Sequence, residues 1–275
     1  MIPVALVVHA PALPEHLDLC LAALYGQTFQ EFEVLVTDTS PENSHSEVVT
    51  HHAKHLTQTV RHIQAPGGPL NLGRALNAAV LSTDAEYLIF MGGNCIVQPG
   101  FIAGHLAVAD YGYFAHGETL PLDQPLTNAM DAASLGTGQA FDEAWIQAVS
   151  PKWHALHLRG SALGSFRRWL HKDTPGLQYW NCESSSCFRA DLLAIDGFDM
   201  DVDDWRTDRD LANRLQNFGH EPIATGVDGN VLRLMNAETA EQAGRGGRLP
   251  AQLEPGGEVR AVAGLQELTP GSQAA

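Results

Sequence analysis

The first hundred residues alternate between short apolar runs and segments with helical spacing. The runs IPVALVVH, FEVLVTD, TVRHIQA and EYLIFM have the β-branched, apolar composition of buried strands. After the first run, Leu17, Leu21 and Leu24 recur at helical spacing. Residues 45–57 and the segment LGRALNAAVLST also predict helices. Because strands that alternate with helices form parallel sheets with helices on both faces, the pattern predicts an α/β fold.

Chain length and charge restrict the class of protein. The 275 residues, 44% of them hydrophobic, are sufficient for a packed globular core. The 32 acidic against 16 basic residues oppose the phosphate neutralisation that nucleic-acid binding requires, so we expect no nucleic-acid partner. No stretch approaches the roughly 18 apolar residues of a membrane span, and no basic region precedes the first apolar run. These features predict a cytoplasmic protein and leave its oligomeric state open.

The chain is less regular beyond the fourth predicted strand. Residues 145–180 hold four of the five tryptophans and a concentration of basic residues, and nine acids follow between Glu183 and Asp210. From about residue 237 the chain has no aromatic residue and is rich in Gly, Pro, Ala, Gln and Glu. This composition predicts a folded domain over residues 1–236 and a flexible tail over residues 237–275.

Several segments, in order, carry a resemblance to a known family. They are FEVLVTD, GRALNAA, FMGGNCIVQP, CFRADLLAIDGFD and WRTDRDLANRLQNFG. Over residues 3–236 the chain resembles the family 2 glycosyltransferases. The resemblance implies the GT-A fold, a Rossmann-like, mixed and mostly parallel sheet with helices on both faces. It also implies a nucleotide-binding half, residues 1–100, and an acceptor half, residues 101–236. The implied activity is transfer of a hexosyl group from a nucleotide sugar, expected to be a UDP sugar, to a carbohydrate or other hydroxyl acceptor.

The family's metal motif is altered in this sequence. The two aspartates of the DxD motif are replaced by Gly92 and Asn94, and neither residue offers the anionic oxygen that a hard divalent cation prefers. The segment DGNVLRLMN also lacks the histidine that the family often places after its last strand. We therefore expect no metal ligands and no firmly bound cofactor, with at most weak binding of Mg²⁺ or Mn²⁺. The amides of Gly92 and Gly93 either form a small anion nest or simply permit a tight bend.

Without a bridging cation, sugar transfer requires other positive groups beside the diphosphate leaving group. Arginine suits this task because its planar guanidinium donates two parallel hydrogen bonds. The diphosphate-binding candidates are Arg167, Arg168, Arg206 and Arg209, with Arg74 as a further possibility. The segment SFRRWLHK, which contains Arg167 and Arg168, is equally compatible with the solvated face of an amphipathic helix.

The resemblance also assigns the chemistry at the Glu-Asp motif. Thr207 stands in place of the usual glutamate, so Asp208 is the expected general base that deprotonates the acceptor. Trp205, next to this motif, is expected to stack on the acceptor. The other tryptophans that we considered, Trp153, Trp169 and Trp180, are assigned to the core.

The nucleotide-binding candidates lie where predicted strands end or the following helix begins. The resemblance places Asp38 against the base or ribose, although a helix cap or turn residue is an equal alternative. Asn77 is expected to orient the nucleotide-side loop or to cap its helix. His9 and Asn94 complete the set with Gly92 and Gly93, and an ordinary surface histidine is the alternative for His9.

Two functions remain open from the sequence. The first is a glycosyltransferase with weak or no dependence on a divalent metal, in which Asp208 is the base. The second is a catalytically inactive pseudo-glycosyltransferase that acts as a binding or scaffold module, because both DxD aspartates, the motif glutamate and the histidine are lost together.

Overall fold

The structure is a computed structural model that describes residues 3–10, 13–39, 44–65, 71–157, 180–235 and 257–269. The side chains of Trp205 and of residues 155–157 are not part of the description. The predictions for Arg167, Arg168 and Trp169 lie outside the described residues.

The strands confirm the α/β prediction. They are β1 Val4–His9, β2 Phe32–Asp38, β3 Val60–Gln64, β4 Tyr87–Gly92, β5 Cys95–Val97, β6 Tyr113–His116, β7 Thr119–Pro121, β8 Ser184–Phe188, β9 Glu221–Ala224 and β10 Val231–Arg233. Within the described ranges, one sheet has seven strands in the order β3-β2-β1-β4-β8-β6-β9, and β5-β10-β7 form a smaller sheet. The first four strands pair in parallel, whereas β8 is antiparallel to both β4 and β6.

Helices cover both faces of the large sheet. They are α1 Pro14–Ala22, α2 Ser46–His55, α3 Leu72–Leu81, α4 Phe101–Leu106, α5 Gln124–Ala129, α6 Ala132–Gly136, α7 Glu143–Val149, α8 Pro151–His157, α9 Arg189–Ala194 and α10 Thr207–Asn217. Among the described residues, no helix has both the length and the apolar character needed to cross a membrane.

The apolar run of β1 is continuous because both of its faces are buried. Leu6 belongs to the cluster that contains Leu17 of α1, whereas Val7 belongs to the cluster that contains Leu76 of α3. Alternate residues of a strand point to opposite faces, so each face of β1 packs against a different helix layer. This packing fixes the edge of the sheet at which β1, β2 and β4 end.

Part of the C-terminal segment packs on the domain. Leu265 is 4% exposed and lies in the same apolar cluster as Leu76 of α3. The amide of Leu265 donates to the carbonyl of Asp196 over 2.9 Å. A carboxylate oxygen of Asp199 accepts the amide of Val262 over 2.8 Å. These contacts attach the segment to the loop that follows α9.

The flexible-tail prediction for residues 237–275 is therefore wrong for residues 257–269. Composition was misleading because few apolar side chains anchor this segment and much of its attachment is through backbone amides. Asp199, one of the nine acids between Glu183 and Asp210, is 5% exposed and binds this segment.

Truncating Leu265 tests the attachment of the C-terminal segment. We expect Leu265→Ala to lower the free energy of unfolding by about 2–5 kcal/mol, because it removes buried methyl groups and leaves a cavity. Urea denaturation measures the change. Val262→Ala is the matched control, because Val262 is 70% exposed in the same segment, and its effect should stay within about 0.5 kcal/mol. Equal, small effects of the two substitutions would contradict the packing.

Candidate functional site

The carboxyl ends of β1, β2 and β4 meet at one edge of the sheet. His9 lies opposite Thr37 on β2 and opposite Gly92 on β4. Because β8 is antiparallel to β4 and Ser184 lies opposite Met91, the residues just before β8 arrive at the same edge. Open α/β sheets bind ligands at the carboxyl ends of their strands. This edge is therefore the candidate site.

The turn after β4 is tightly packed. A Cβ atom built on Gly92 would lie 3.2 Å from Cγ of Glu183 and 3.0 Å from Oδ1 of Asn94. The amide of Gly93 donates to the carbonyl of His9 over 2.8 Å. The anion nest is therefore wrong in respect of Gly93, because the N–H group that it needs is already bound within the protein.

Glu183 and Arg233 form an ion pair at this turn. Nη1 of Arg233 donates to both carboxylate oxygens of Glu183, over 3.1 and 3.2 Å. Arg233 ends β10, and the amide of the next residue, Leu234, donates to the carbonyl of Asn94 over 2.9 Å. Both partners are accessible, with side-chain exposures of 27% for Arg233 and 22% for Glu183. A guanidinium group therefore lies at the altered metal motif.

Asp208 lies in the first turn of α10, against the chain that leads into β8. Its Oδ1 accepts the amide of Cys182 over 2.8 Å. The pKa of the Asp208 carboxyl is raised to about 6. Burial is the largest cause and the charge of Glu183 adds to it, whereas the hydrogen bonds from Cys182 oppose the rise. A carboxyl with a pKa near 6 is largely ionised at pH 7 and can accept a proton, as a general base must.

Asn181 holds the backbone that contacts Asp208. Its Oδ1 accepts the amide of Ser184 over 2.7 Å, and its Nδ2 donates to the carbonyl of Gly117 over 3.0 Å. These bonds close the turn that contains Cys182 and Glu183. This arrangement was not predicted, because asparagine is common in turns of every kind.

Thr207, the residue in place of the family's glutamate, does not contribute a polar group to the edge. It is 3% exposed, and its hydroxyl has no hydrogen-bond partner among the residues described. Arg206 and Trp205 belong to the 3₁₀ turn Asp204–Arg206, and Arg209 follows in the first turn of α10. The predicted ligand contacts of these three residues stay predictions.

Asp38 ends β2 at the candidate site and is surrounded by histidines. Its Oδ2 lies 2.9 Å from Nδ1 of His45 and 3.5 Å from Nε2 of His62. Asp38 is 5% exposed. Because α2 begins after His45 and has no side-chain cap, Asp38 does not cap that helix. A hydrogen bond with His45 therefore holds the carboxylate at the strand end, and His62 lies beside it. Sequence reasoning assigned neither histidine to the site.

Asn77 is held inside the protein by hydrogen bonds to the main chain, and its expected part in the nucleotide site stays a prediction. Its side chain is fully buried. Nδ2 donates to the carbonyl of Phe198 over 2.7 Å, and Oδ1 accepts the amide of Phe198 over 2.8 Å. Asn77 does not cap α3 either, because the N-cap is Asn71. It instead fixes the loop after α9.

His9 is a neutral group at the edge. Burial lowers its pKa, and the charges of Glu183 and Asp204, together with a backbone hydrogen bond at Ala10, oppose this effect in part. A neutral imidazole can donate and accept hydrogen bonds but supplies no positive charge to a phosphate.

The side chains at the β4 turn do not fit a divalent cation. Gly92 has no side chain, and the carboxylate of Glu183 is bound by Arg233. Throughout the described part of the chain, no three His, Cys, Asp or Glu side chains are grouped so that they could hold a metal ion. Hard cations require several oxygen ligands, so the weak Mg²⁺ or Mn²⁺ binding allowed by the sequence has no ligand set here.

Comparisons with known proteins identify the fold and show a similarity to one family. Residues 10–118 match the family model described as Glycosyl transferase family 2. No curated protein matches the chain. A mannosyltransferase from Pyrobaculum calidifontis, solved with GDP-Man and Mn²⁺, is 15% identical with a TM-score of 0.55, over 86% of this chain and 58% of its own. Glucosyl-3-phosphoglycerate synthase from Mycobacterium tuberculosis, solved with Mn²⁺, UDP and glucosyl-3-phosphoglycerate, is 13% identical with a TM-score of 0.50, over 88% of this chain and 75% of its own.

The chain thus spans less than two thirds of the mannosyltransferase, and at these identities the two structures inform on the fold alone. The sheet order and the position of the strand ends agree with that fold. The protein has the GT-A fold, and its residues 10–118 are similar to glycosyl transferase family 2.

Proposed function

We propose that the protein transfers a hexosyl group from a nucleotide sugar to a hydroxyl acceptor, with little or no need for a divalent metal. The position of Glu183 gives the main support, because the carboxylate lies between a candidate base and a cation. Arg233 binds it directly, and its charge acts on Asp208. A base and a guanidinium at one strand edge are the two groups that sugar transfer without a metal requires.

In the proposed reaction, Asp208 removes the proton of the acceptor hydroxyl as that oxygen bonds to the anomeric carbon. The bond from the anomeric carbon to the diphosphate breaks, and the diphosphate leaves with the bonding electrons. Arg233 stabilises the developing negative charge, as an arginine of this geometry can bind two phosphate oxygens. Trp205 remains the proposed acceptor contact, and Arg206 and Arg209 remain additional candidates for the diphosphate.

The proposed donor is a UDP sugar. Asp38 and His9 end adjacent parallel strands, which supports a nucleoside above this edge. A carboxylate at the end of β2 can accept hydrogen bonds from a uracil ring or a ribose. The two structural relatives were solved with GDP-Man and with UDP, so guanosine donors are the alternative to test.

Donor turnover in EDTA tests the proposal. UDP-glucose, UDP-galactose, UDP-N-acetylglucosamine and GDP-mannose are each incubated with a panel of sugar acceptors, and release of the nucleoside diphosphate is measured. We expect release with at least one donor, changed no more than about threefold by EDTA, which is under 1 kcal/mol in activation free energy.

Two results would count against the proposal in different ways. A loss that manganese restores would show that transfer depends on a metal. Nucleotide binding without turnover of any donor would favour the inactive binding module.

A further inference from the structure

We infer that Glu183 occupies the diphosphate site of the free protein and that the donor's diphosphate must displace it from Arg233. The inference rests on the proposed function for the nature of the ligand. It adds that the carboxylate of Glu183 competes with the diphosphate for Arg233 and thereby sets the affinity of the site for diphosphate.

Glu183 fills the space beside Gly92. The 3.2 Å separation between its Cγ and a Cβ built on Gly92 means that a larger residue at position 92 would crowd it. The register of β4 and β8, in which Met91 lies opposite Ser184, brings Glu183 to this position. The edge therefore has a carboxylate next to the glycine turn, but this carboxylate belongs to the residue before β8 and is paired with an arginine.

The charges around Glu183 favour replacement of its carboxylate by the diphosphate over binding of the diphosphate beside the intact ion pair. Arg233 is its ion-pair partner, and two acidic groups also act on this cleft, Asp204 on His9 and Asp208 beside Glu183. A diphosphate that approached the intact pair would meet this negative charge with the guanidinium already engaged. A carboxylate and a phosphate both bind an arginine through two oxygens, so they compete for the same donors.

The pair is accessible enough for such an exchange. Its side chains are 27% and 22% exposed, and one nitrogen, Nη1, makes both hydrogen bonds. A partly exposed ion pair contributes little to stability, so it can open without unfolding the sheet. While Glu183 holds Arg233, however, the competent fraction of the site is reduced, and the apparent affinity for a diphosphate falls in proportion.

Calorimetry with inorganic pyrophosphate in EDTA tests the exchange. We expect Glu183→Gln to bind pyrophosphate about tenfold more tightly than the wild type, because the competitor is neutralised. Arg233→Gln should bind it about 10- to 100-fold more weakly, because a charge-assisted contact is lost. The double variant should match Arg233→Gln, since Glu183 acts through Arg233. Weaker binding by Glu183→Gln, or no binding by either it or the wild type, would overturn the inference.

The double variant separates competition from general repulsion. If it binds clearly more tightly than Arg233→Gln, Glu183 repels anions from a distance and the exchange is wrong. If manganese strengthens binding to the wild type but not to Glu183→Gln, Glu183 is a metal ligand and the exchange is again wrong. Arg233→Lys, which keeps the charge but not the planar fork, should bind with intermediate affinity and serves if Arg233→Gln does not fold.

The pair formed by Arg61 and Glu33 provides the matched control. Its atoms are 2.9 Å apart and its side chains are 38% and 26% exposed, but it joins β2 and β3 near their amino ends. Glu33→Gln and Arg61→Gln should leave pyrophosphate affinity unchanged. Because pyrophosphate has neither base nor sugar, this experiment is independent of turnover. Failure of every donor would reject the proposed function alone, whereas transfer in EDTA with unchanged affinities in the Glu183 and Arg233 variants would reject the exchange alone.

Discussion

Asp208→Asn is expected to lower kcat for sugar transfer by about 10²–10⁴-fold, the usual contribution of a positioned general base. Asparagine has nearly the same shape and can still accept the amide of Cys182 through its Oδ1, so the turn before β8 should stay in place. It cannot take a proton from the acceptor. Affinity for the nucleoside diphosphate should therefore change little while turnover is lost. Steady-state kinetics and calorimetry on the same preparation separate the two effects.

The pH dependence of transfer gives a second measure of the same residue. The pKa of Asp208 is raised to about 6 by burial, so its carboxyl is protonated and inactive as a base below that pH. We expect kcat/KM of the wild type to fall about tenfold per pH unit below pH 6, because kcat/KM reports the ionisations of the free protein. The residual activity of Asp208→Asn should not show this fall. An identical decline in both proteins would assign the titration to another group.

Unfolding does not explain the expected loss of activity in Asp208→Asn. Because the folded pKa of Asp208 lies above the ordinary aspartate value, its ionised form is disfavoured in the native state, and its contribution to stability decreases as pH rises to about 6. The variant removes this cost, so its melting temperature at pH 8 should not fall. Asp210→Asn is the matched control in the same helix, because Asp210 is engaged with Arg214 over 2.7 Å. The control should keep most of its activity per folded molecule.

The parts of the fold that could be predicted from the sequence are those set by local pattern. The strands β1, β2 and β4 are largely buried on both faces because helices cover both sides of the sheet, and this burial is visible as apolar runs. Asp208 and Gly92 were identified as site candidates because each belongs to a motif of a few neighbouring residues. The apolar runs of the buried strands and the order of the motifs were therefore sufficient to predict most of the first half of the chain.

The ion pair of Glu183 and Arg233 was missed because it depends on register. The two residues are 50 positions apart, and they meet because β8 lies antiparallel beside β4 while β10 pairs with β5. Pattern in a single sequence does not specify either pairing. The arginine was present in the segment DGNVLRLMN, but there the prediction considered only the absence of a histidine. Its position at the end of a strand was the available signal.

Asn77→Ala is expected to lower the free energy of unfolding by about 2–5 kcal/mol. The substitution leaves both the amide and the carbonyl of Phe198 without their partners in the interior, and each unsatisfied group costs about 1–3 kcal/mol. The neighbouring Gly197 adopts a positive φ of 71°, and a Cβ there would lie 2.4 Å from Oδ1 of Asn77. The side chain of Asn77 therefore fills the space beside Gly197, which has no side chain that could replace the hydrogen bonds lost from Phe198.

Measurements of stability and of nucleotide affinity together show whether Asn77 only holds the loop after α9 or also binds the nucleotide directly. Urea denaturation should show the large loss for Asn77→Ala and a loss of about 0.5 kcal/mol or less for Leu81→Ala, a partly exposed position on the same helix. Calorimetry under conditions where Asn77→Ala is folded should show UDP affinity close to that of the wild type. If stability were unchanged while UDP affinity fell tenfold, Asn77 would contact the nucleotide itself. The observed amide pair with Phe198 would then have to open when the donor binds, because both polar ends of Asn77 are engaged with the protein in this structure.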